Sequence, residues 1–356
     1  MCPEVSAASG GVAVIYACVE TLRQAGHDAV VLHARADYRY PGTPFRPPIL
    51  ASADIGRTYL RQTGRRRKLQ VLKGLLKSRA ASAGSAYVDL RPDDVIVVPE
   101  FMIVTATETF PDHRKVVFSQ NSFSYIRLFD RAIRAGADPD ATVLCNVGIN
   151  DTCMEAFSLM SDRPGLRIVV SPDLDLFDDG QAKQRTITYM PRKRKSEADF
   201  LHAALERRGK VADFDLIRLD RMTQPEVARH MAESLIFVSL MKDEALGFPG
   251  IEAMASGCIV VGFTGLGTEE YFTPETGFPI REGDNVGLVL TVERIAAEYR
   301  ADPARLDALR RHASGVVRAR YNPQAFRDTL LEAWDRIDRM ARRDGTGLEL
   351  AAKSVN

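Results

Sequence analysis

Two carboxylates, Glu244 and Glu252, stand with seven residues between them in the stretch Glu-Ala-Leu-Gly-Phe-Pro-Gly-Ile-Glu-Ala-Met-Ala-Ser-Gly. A Gly/Pro turn separates them and opens a helix, which puts Glu244 on a loop and Glu252 about one turn inside the helix. Both acids can then face one ligand. Gly247 and the Pro249-Gly250 pair let the backbone approach closely, and the free N–H groups of a helix start favour an anion. A second cluster is the run Arg192, Lys193, Arg194, Lys195, which follows an apolar strand pattern directly and precedes a helix opened by Ser196. Cations at the carboxyl end of a strand, beside helix amides, offer a diphosphate charge, fork-shaped donors and free N–H groups. Glycine turns recur at Gly10-Gly11 and at Thr264-Gly265-Leu266-Gly267. Plainer readings also exist: surface carboxylates beside a capped helix, a solvated charge run, and glycines needed only for tight turning.

The elements that must hold these residues follow from length and patterning. At 356 residues the chain exceeds the size at which single cores stop growing, so two domains are expected. Apolar content of 45% and charged content of 27% are ordinary for a globular protein, and a net charge of +1 gives no reason to expect nucleic acid as a partner. Cys2, Cys18, Cys145, Cys153 and Cys258 are scattered and never spaced C-x-x-C. They fit a reducing cytoplasm better than a disulfide framework or a zinc site. No apolar run reaches the roughly 18 residues of a spanning helix, and the start lacks a signal-peptide pattern.

Short β-branched runs alternate with helical patterns along the chain, the mark of an α/β fold with doubly wound parallel sheets. The runs predict strands at 29–33, 95–99, 116–120, 142–146 and 167–171, then at 186–190, 216–219, 235–240 and 258–263. Thr223-Gln-Pro-Glu226 reads as a capping box for the helix that follows. The domain boundary is expected near Ser171-Pro172-Asp173, which divides the chain into 1–171, 172–321 and a terminal segment 322–356. That segment carries a helix over 325–340 and a frayed tail from Gly345.

The spacing of Glu244 and Glu252, with its Gly, Pro and Ala-Met-Ala-Ser-Gly context, resembles the E-x7-E signature of retaining nucleotide-sugar glycosyltransferases of the GT-B type, glycosyltransferase family 4 in particular. The resemblance covers nearly the whole chain and is strongest over 186–284. It implies two facing Rossmann-like domains, an acceptor side in the first and a donor side in the second, with a last helix crossing back. Glu244 would lie beside the anomeric centre, amides around Leu246, Gly247, Phe248 and Pro249 would bind sugar hydroxyls, and Glu252 would bind the ribose. Arg192 and Lys193, with Lys195 as alternate, would hold the donor diphosphate. Gly10-Gly11 would face the phosphates from the first domain, and Gly265 and Gly267 would form a loop near the donor. Two departures stand out: Ala245 occupies a position usually held by Gly, and the usual Arg-to-Lys spacing is not reproduced. Gly10-Gly11 resembles the loop after a first strand, yet no apolar strand precedes it. Either that strand stands upstream of Met1, or the domain lacks it and leaves a sheet edge open.

The activity implied is transfer of a sugar from a nucleotide diphosphate to a glycan, lipid-linked or small-molecule acceptor, with no cofactor and no metal. Cations and helix amides would stabilise the departing diphosphate. Many relatives carry a His at the end of a first-domain strand. This chain has Gln120-Asn121 there, which can hydrogen-bond but cannot hold a proton. His33 and Glu100, each at a strand end, are the other acceptor-side candidates. Asp-x-Asp occurs at Asp138/Asp140, Asp173/Asp175 and Asp213/Asp215 in unrelated contexts, so it does not argue for a metal. The basic, leucine-interleaved stretch 57–79 could form an amphipathic helix on an anionic membrane. A catalytically idle sugar-nucleotide binder or partner subunit is the alternative. A nicotinamide enzyme is disfavoured, because Gly10-Gly11 lacks G-x-G-x-x-G spacing.

Overall fold

The computed structural model describes residues 1–5, 9–62 and 90–353. The chain divides into two compact units, Met1–Ile168 with the chain from Arg327 onward, and Val169–Phe326. Both are layered α/β units whose sheets are wholly parallel.

In the first unit, helix α1 (Gly10–Gln24) leads to strands β1 (Val31–His33) and β2 (Ile49–Ala51) and helix α2 (Ala53–Gln62). Strands β3 (Ile96–Pro99), β4 (Lys115–Ser119), β5 (Val143–Gly148) and β6 (Gly165–Arg167) form a four-stranded sheet in that order, while β1 and β2 pair separately. Between them run α3 (Ile103–Thr109), α4 (Ser122–Arg134) and α5 (Asp151–Met160). Strand β4 is buried at every position, as expected of a strand covered on both faces. The expected strand at 167–171 is displaced. Pairing stops where Gly148 meets Arg167, because β5 ends there and leaves nothing further to pair with.

The second unit holds β7 (Gln184–Tyr189), α6 (Lys195–Arg208), β8 (Asp215–Arg218), α7 (Gln224–Glu233), β9 (Ser234–Leu240), α8 (Phe248–Ala255), β10 (Ile259–Phe263) and β11 (Phe278–Ile280). Helices α9 (Asn285–Ala301) and α10 (Ala304–Arg320) complete it, and α11 (Pro323–Lys353) carries the chain into the first unit. Strand order is β11-β10-β9-β7-β8, so the winding reverses between β7 and β9. Ligands of open α/β sheets bind outside the carboxyl ends of the strands at such a reversal. The core is built of Ile187, Ile236, Val238, Val261, Phe263 and Val292, all essentially inaccessible.

Local signals account for the element ends. The Thr223 amide donates to Glu226 Oε2 at 2.7 Å, which closes the capping box that opens α7. Strands β2 and β11 have no counterpart among the predicted runs. Proline explains both, with Pro47-Pro48 before one and Pro279 inside the other, and each lies at a sheet edge where a missing N–H is tolerated. Helix α11 outruns its expected end at residue 340, because Leu348, Leu350, Ala351 and Ala352 are strong helix formers. Within the basic stretch, Arg57 and Arg61 sit on α2, where Arg57 pairs with Asp54. The remainder of 57–79 lies outside the described residues.

Candidate functional site

The reversal between β7 and β9 brings the two chemical motifs of the second unit together. Pro191 to Lys195 leave the carboxyl end of β7, and Met241 to Glu244 leave that of β9. Lys193 reaches across. Its Nζ pairs with Glu244 Oε1 at 2.8 Å and donates to the carbonyls of Lys242 and Asp243 at 2.9 and 3.4 Å. Met190, Arg192, Lys193, Met241, Glu244 and Pro249 bound a small shared pocket. Arg192 and Lys195 are exposed, and Lys195 is the first residue of α6.

Arg194 differs from its neighbours. Its side chain is 4% exposed, its Nε donates to Met241 O at 3.0 Å, and its guanidinium pairs with Glu197 and Glu282. The same group stacks over the Phe263 ring at 4.7 Å. A buried cation so fully partnered is a structural pin that fixes the turn on which Lys193 stands.

Glu244 is seated by its backbone. Its N–H donates to Gly265 O at 3.2 Å, and it forms a parallel bridge with Leu266. Gly267 makes this contact possible: a Cβ there would lie 2.1 Å from both Glu244 O and Ala245 O. Gly265 and Gly267 therefore act by letting one loop lie flat on the other. The turn into α8 is equally constrained. Gly247 caps the helix at φ +62°, and a Cβ on it would meet Met241 Sδ at 2.2 Å. Tyr271, fully buried, places its hydroxyl 2.9 Å from the carbonyls of both Leu246 and Gly247. Leu246 is buried as well, so only its backbone is available to a ligand, whereas Phe248 and Pro249 are half-buried.

Glu252 lies one turn into α8, a helix buried at every position from Gly250 to Ala255. No side-chain hydrogen bond or ion pair is made by its carboxyl among the described residues, and burial alone pushes its pKa up to about 7. A buried carboxyl without a partner is costly unless a ligand completes it.

The first unit gathers a separate set. The Gln120 amide N–H donates to Glu100 Oε2 at 3.1 Å, and Gln120 Nε2 donates to Gly11 O at 3.0 Å. This links the carboxyl ends of β3 and β4 to the start of α1, where Gly10 and Gly11 lie. Glu100 is 3% exposed, and burial raises its pKa to about 7. Asn121 caps α4, its side-chain oxygen accepting from the Ser124 N–H at 2.9 Å. His33 is also interior. Its Nδ1 lies 3.0 Å from Cys2 O, which can only accept, so Nδ1 carries the proton and Nε2 accepts from the Tyr16 hydroxyl at 2.9 Å. Burial holds it neutral, with a pKa near 4. Both ring nitrogens are occupied, so His33 braces the α1–β1 packing. Asp140 and Asp213 of the Asp-x-Asp pairs are engaged with Ser161 and with Arg185 and Arg300. Among the described residues no group of three or more His, Cys, Asp or Glu side chains could hold a metal ion, and no helix is long and apolar enough to cross a membrane.

Comparison with known proteins extends this picture. No protein-family model matches the chain. An alpha-1,6-glucosyltransferase of Actinobacillus pleuropneumoniae serotype 7 is 32% identical over 123 residues, covering 33% of this chain and 37% of that protein's length. Among solved structures, sucrose-phosphate synthase from Thermosynechococcus elongatus superposes with a TM-score of 0.63 at 16% identity, over 95% of this chain and 96% of that one. HepE of Anabaena in complex with UDP-glucose gives 0.60 at 13% identity, over 94% and 98%. The likenesses to these two structures run almost end to end in both chains and show that this chain has the GT-B fold of two Rossmann-like domains.

Proposed function

We propose that this chain is a glycosyltransferase that takes its sugar from a nucleotide-diphosphate donor, with UDP-glucose the donor best supported. Glu252 carries the reading. A carboxyl group with no side-chain partner among the described residues, buried one turn inside a helix, suits a pair of vicinal hydroxyls such as those of ribose. The N–H groups at the start of α8 and the exposed cations Arg192, Lys193 and Lys195 suit a diphosphate. The partial relative named as a glucosyltransferase and the HepE complex with UDP-glucose favour uridine and glucose.

In this reading Glu244 stands beside the transferred sugar, and Lys193 holds it in place until the diphosphate draws on the same cation. Positive charge from Lys193 and Arg192 stabilises the leaving group as the glycosidic bond breaks, the part a metal plays elsewhere. Retention of anomeric configuration and a glycan, lipid-linked or small-molecule acceptor complete the proposal, both from the family resemblance. Glu100 with Gln120 is the acceptor-side candidate, and five free cysteines support a reducing, cytoplasmic setting.

Thermal melting with UDP-, GDP-, ADP-, dTDP- and CMP-sugars tests the donor. UDP-glucose at 100 times its Kd stabilises a native-state binder by about 2.7 kcal/mol, so Tm should rise with it and not with the other bases. A flat response to every nucleotide sugar would remove the donor site. A rise without glucose transfer or donor hydrolysis would identify a binder without activity.

Lys193→Met separates charge from fold. The Lys193–Glu244 pair is partly exposed, with side-chain exposures of 40% and 25%, and such pairs contribute about 0–1 kcal/mol. Tm should therefore hardly move, while UDP binding, read by calorimetry, should weaken about 10-fold through loss of one charge-assisted contact.

A further inference from the structure

Helix α8 carries Glu252 and, at its start, the turn assigned to the donor sugar, so whatever fixes this helix fixes the site. The end of α10 and the residue after it hold α8 at both ends. At the carboxyl end the Ala255 carbonyl accepts from Arg318 Nη2 at 2.9 Å and from the Ser314 hydroxyl at 3.3 Å, both on α10. A guanidinium there also meets the negative end of the helix dipole. At the amino end the hold runs through two aromatic side chains. Tyr271 bonds the carbonyls of Leu246 and Gly247, and its ring meets that of Tyr321 edge-on with centroids 5.8 Å apart. Tyr321 follows α10 directly, and its hydroxyl donates to Glu270 Oε1.

Glu270 ties these parts together. Its side chain is 7% exposed, and its second carboxylate oxygen pairs with Arg320 Nη2 at 3.3 Å. Its carbonyl accepts from Arg320 Nη1 at 2.7 Å. Backbone and side chain of this residue are thus both fastened to the end of α10, and the next residue in the chain is Tyr271. On the other side the Thr276 hydroxyl donates to Tyr271 O. The fit against α8 is close, for a Cβ on Gly250 would lie 2.7 Å from the Tyr271 hydroxyl. Neither tyrosine has surface to offer a ligand, since each is 1% exposed. A buried polar network with its members partnered in this way makes its surroundings rigid.

We propose that Tyr321 and Glu270 are positioning residues for the donor sugar, acting through Tyr271 on the turn 246–249. The assignment rests on the donor reading of that turn given above. The groups assigned to the nucleotide have other supports: Glu252 lies inside the helix, and the cations Arg192, Lys193 and Lys195 follow β7. Loss of the Tyr321 hydroxyl should therefore loosen the seat of the sugar and spare that of the nucleotide.

Tyr321→Phe keeps the ring contact and removes the hydroxyl. Calorimetry should find UDP affinity within about 2-fold of wild type, while the ratio of UDP-glucose to UDP affinity falls about 10-fold as the turn must be ordered on binding. Amide exchange at residues 246–249 of the unliganded protein should quicken about 10-fold. Glu270→Gln, whose side-chain carbonyl still accepts from Tyr321, should retain more of the ratio than Glu270→Ala. Ile295→Val, in the core of the same unit, should lower Tm through lost packing alone and leave the ratio unchanged. An unchanged ratio in Tyr321→Phe overturns the proposal, as does a fall that Ile295→Val reproduces. Should Tyr321→Phe not fold, the Glu270 pair decides, and equal ratios in its Gln and Ala forms overturn the assignment. Wild type that binds neither UDP nor UDP-glucose removes the donor reading instead. The exchange measurement needs no ligand and then still shows whether Tyr321 holds the turn.

Discussion

Glu252→Ala is expected to weaken UDP binding by about 100-fold or more while leaving the protein folded. Two hydroxyl groups donating to one carboxylate are worth about 1.5–3 kcal/mol each, and the alanine removes both contacts. Stability should respond in the opposite sense. In the unliganded protein burial raises the Glu252 pKa from 4.5 to about 7. An acid with a raised folded pKa contributes stability that is fully present below its unfolded value and lost as pH rises through the folded one. The wild type should therefore lose stability between about pH 4.5 and 7, by an amount on the order of 3 kcal/mol for this group. The alanine variant should melt above the wild type at pH 8. Glu100 and Glu4, also raised to about 7, keep their own share of that slope, so it flattens without vanishing. Ligand binding has the reverse dependence, because hydroxyl donors prefer the ionised carboxylate. UDP affinity in the wild type should fall as pH drops below 7, and Glu252→Gln should flatten it. Calorimetry at pH 6 and 8 reads both effects, and equal affinity for UDP in wild type and Glu252→Ala would take ribose recognition away from this residue.

Gly267→Ala should cost at least 100-fold in transfer rate without touching any ligand-facing side chain. The added methyl would stand 2.1 Å from two backbone oxygens, those of Glu244 and Ala245. No rotamer relieves a clash with backbone, so the loop 264–267 must lift from the segment that carries Glu244. Displacements of about 1 Å at a reacting centre cost on the order of 100-fold. The same substitution should lower Tm, since overpacking costs about 1–3 kcal/mol. The comparison variant is Leu266→Ala in the same loop. That side chain is about half exposed, so trimming it leaves the backbone contact in place and should retain the wild-type rate. A Gly267→Ala enzyme with normal turnover would show that the loop contact does not position Glu244.

The parts of the site that lie close together in sequence were legible there. Glu244 and Glu252 are separated by one turn whose Gly and Pro announce a helix start, so local rules alone place them. Lys193 was legible as a cation after a strand, but its pairing with Glu244 was not, because that depends on β7 and β9 being neighbours although β8 lies between them in sequence. Arg194 was hidden by its company. Four successive cations read alike in sequence, and only packing against Phe263 and Met241 distinguishes the buried one. Asn121 did carry a usable signal, since Asn directly before a helix start is a favoured N-cap residue. His33 carried none, for its two partners, Tyr16 and Cys2, come from distant points of the chain. Tyr271 was visible at the end of the glycine loop, but its bonds to Leu246 and Gly247 span more than twenty residues.

That tyrosine has a consequence for how a ligand would be received. The carbonyls of Leu246 and Gly247 are held by a side chain with almost no freedom of its own, and Gly247 is clamped between Met241 and Thr268. The turn is therefore set in advance, and an incoming ligand does not have to spend binding energy on ordering it. On the proposed reading, discrimination at this turn comes from rigid shape: a sugar whose hydroxyls miss the fixed amides gains nothing from adjustment of the loop, and the selectivity of the site should persist in fragments as small as the nucleotide and sugar themselves.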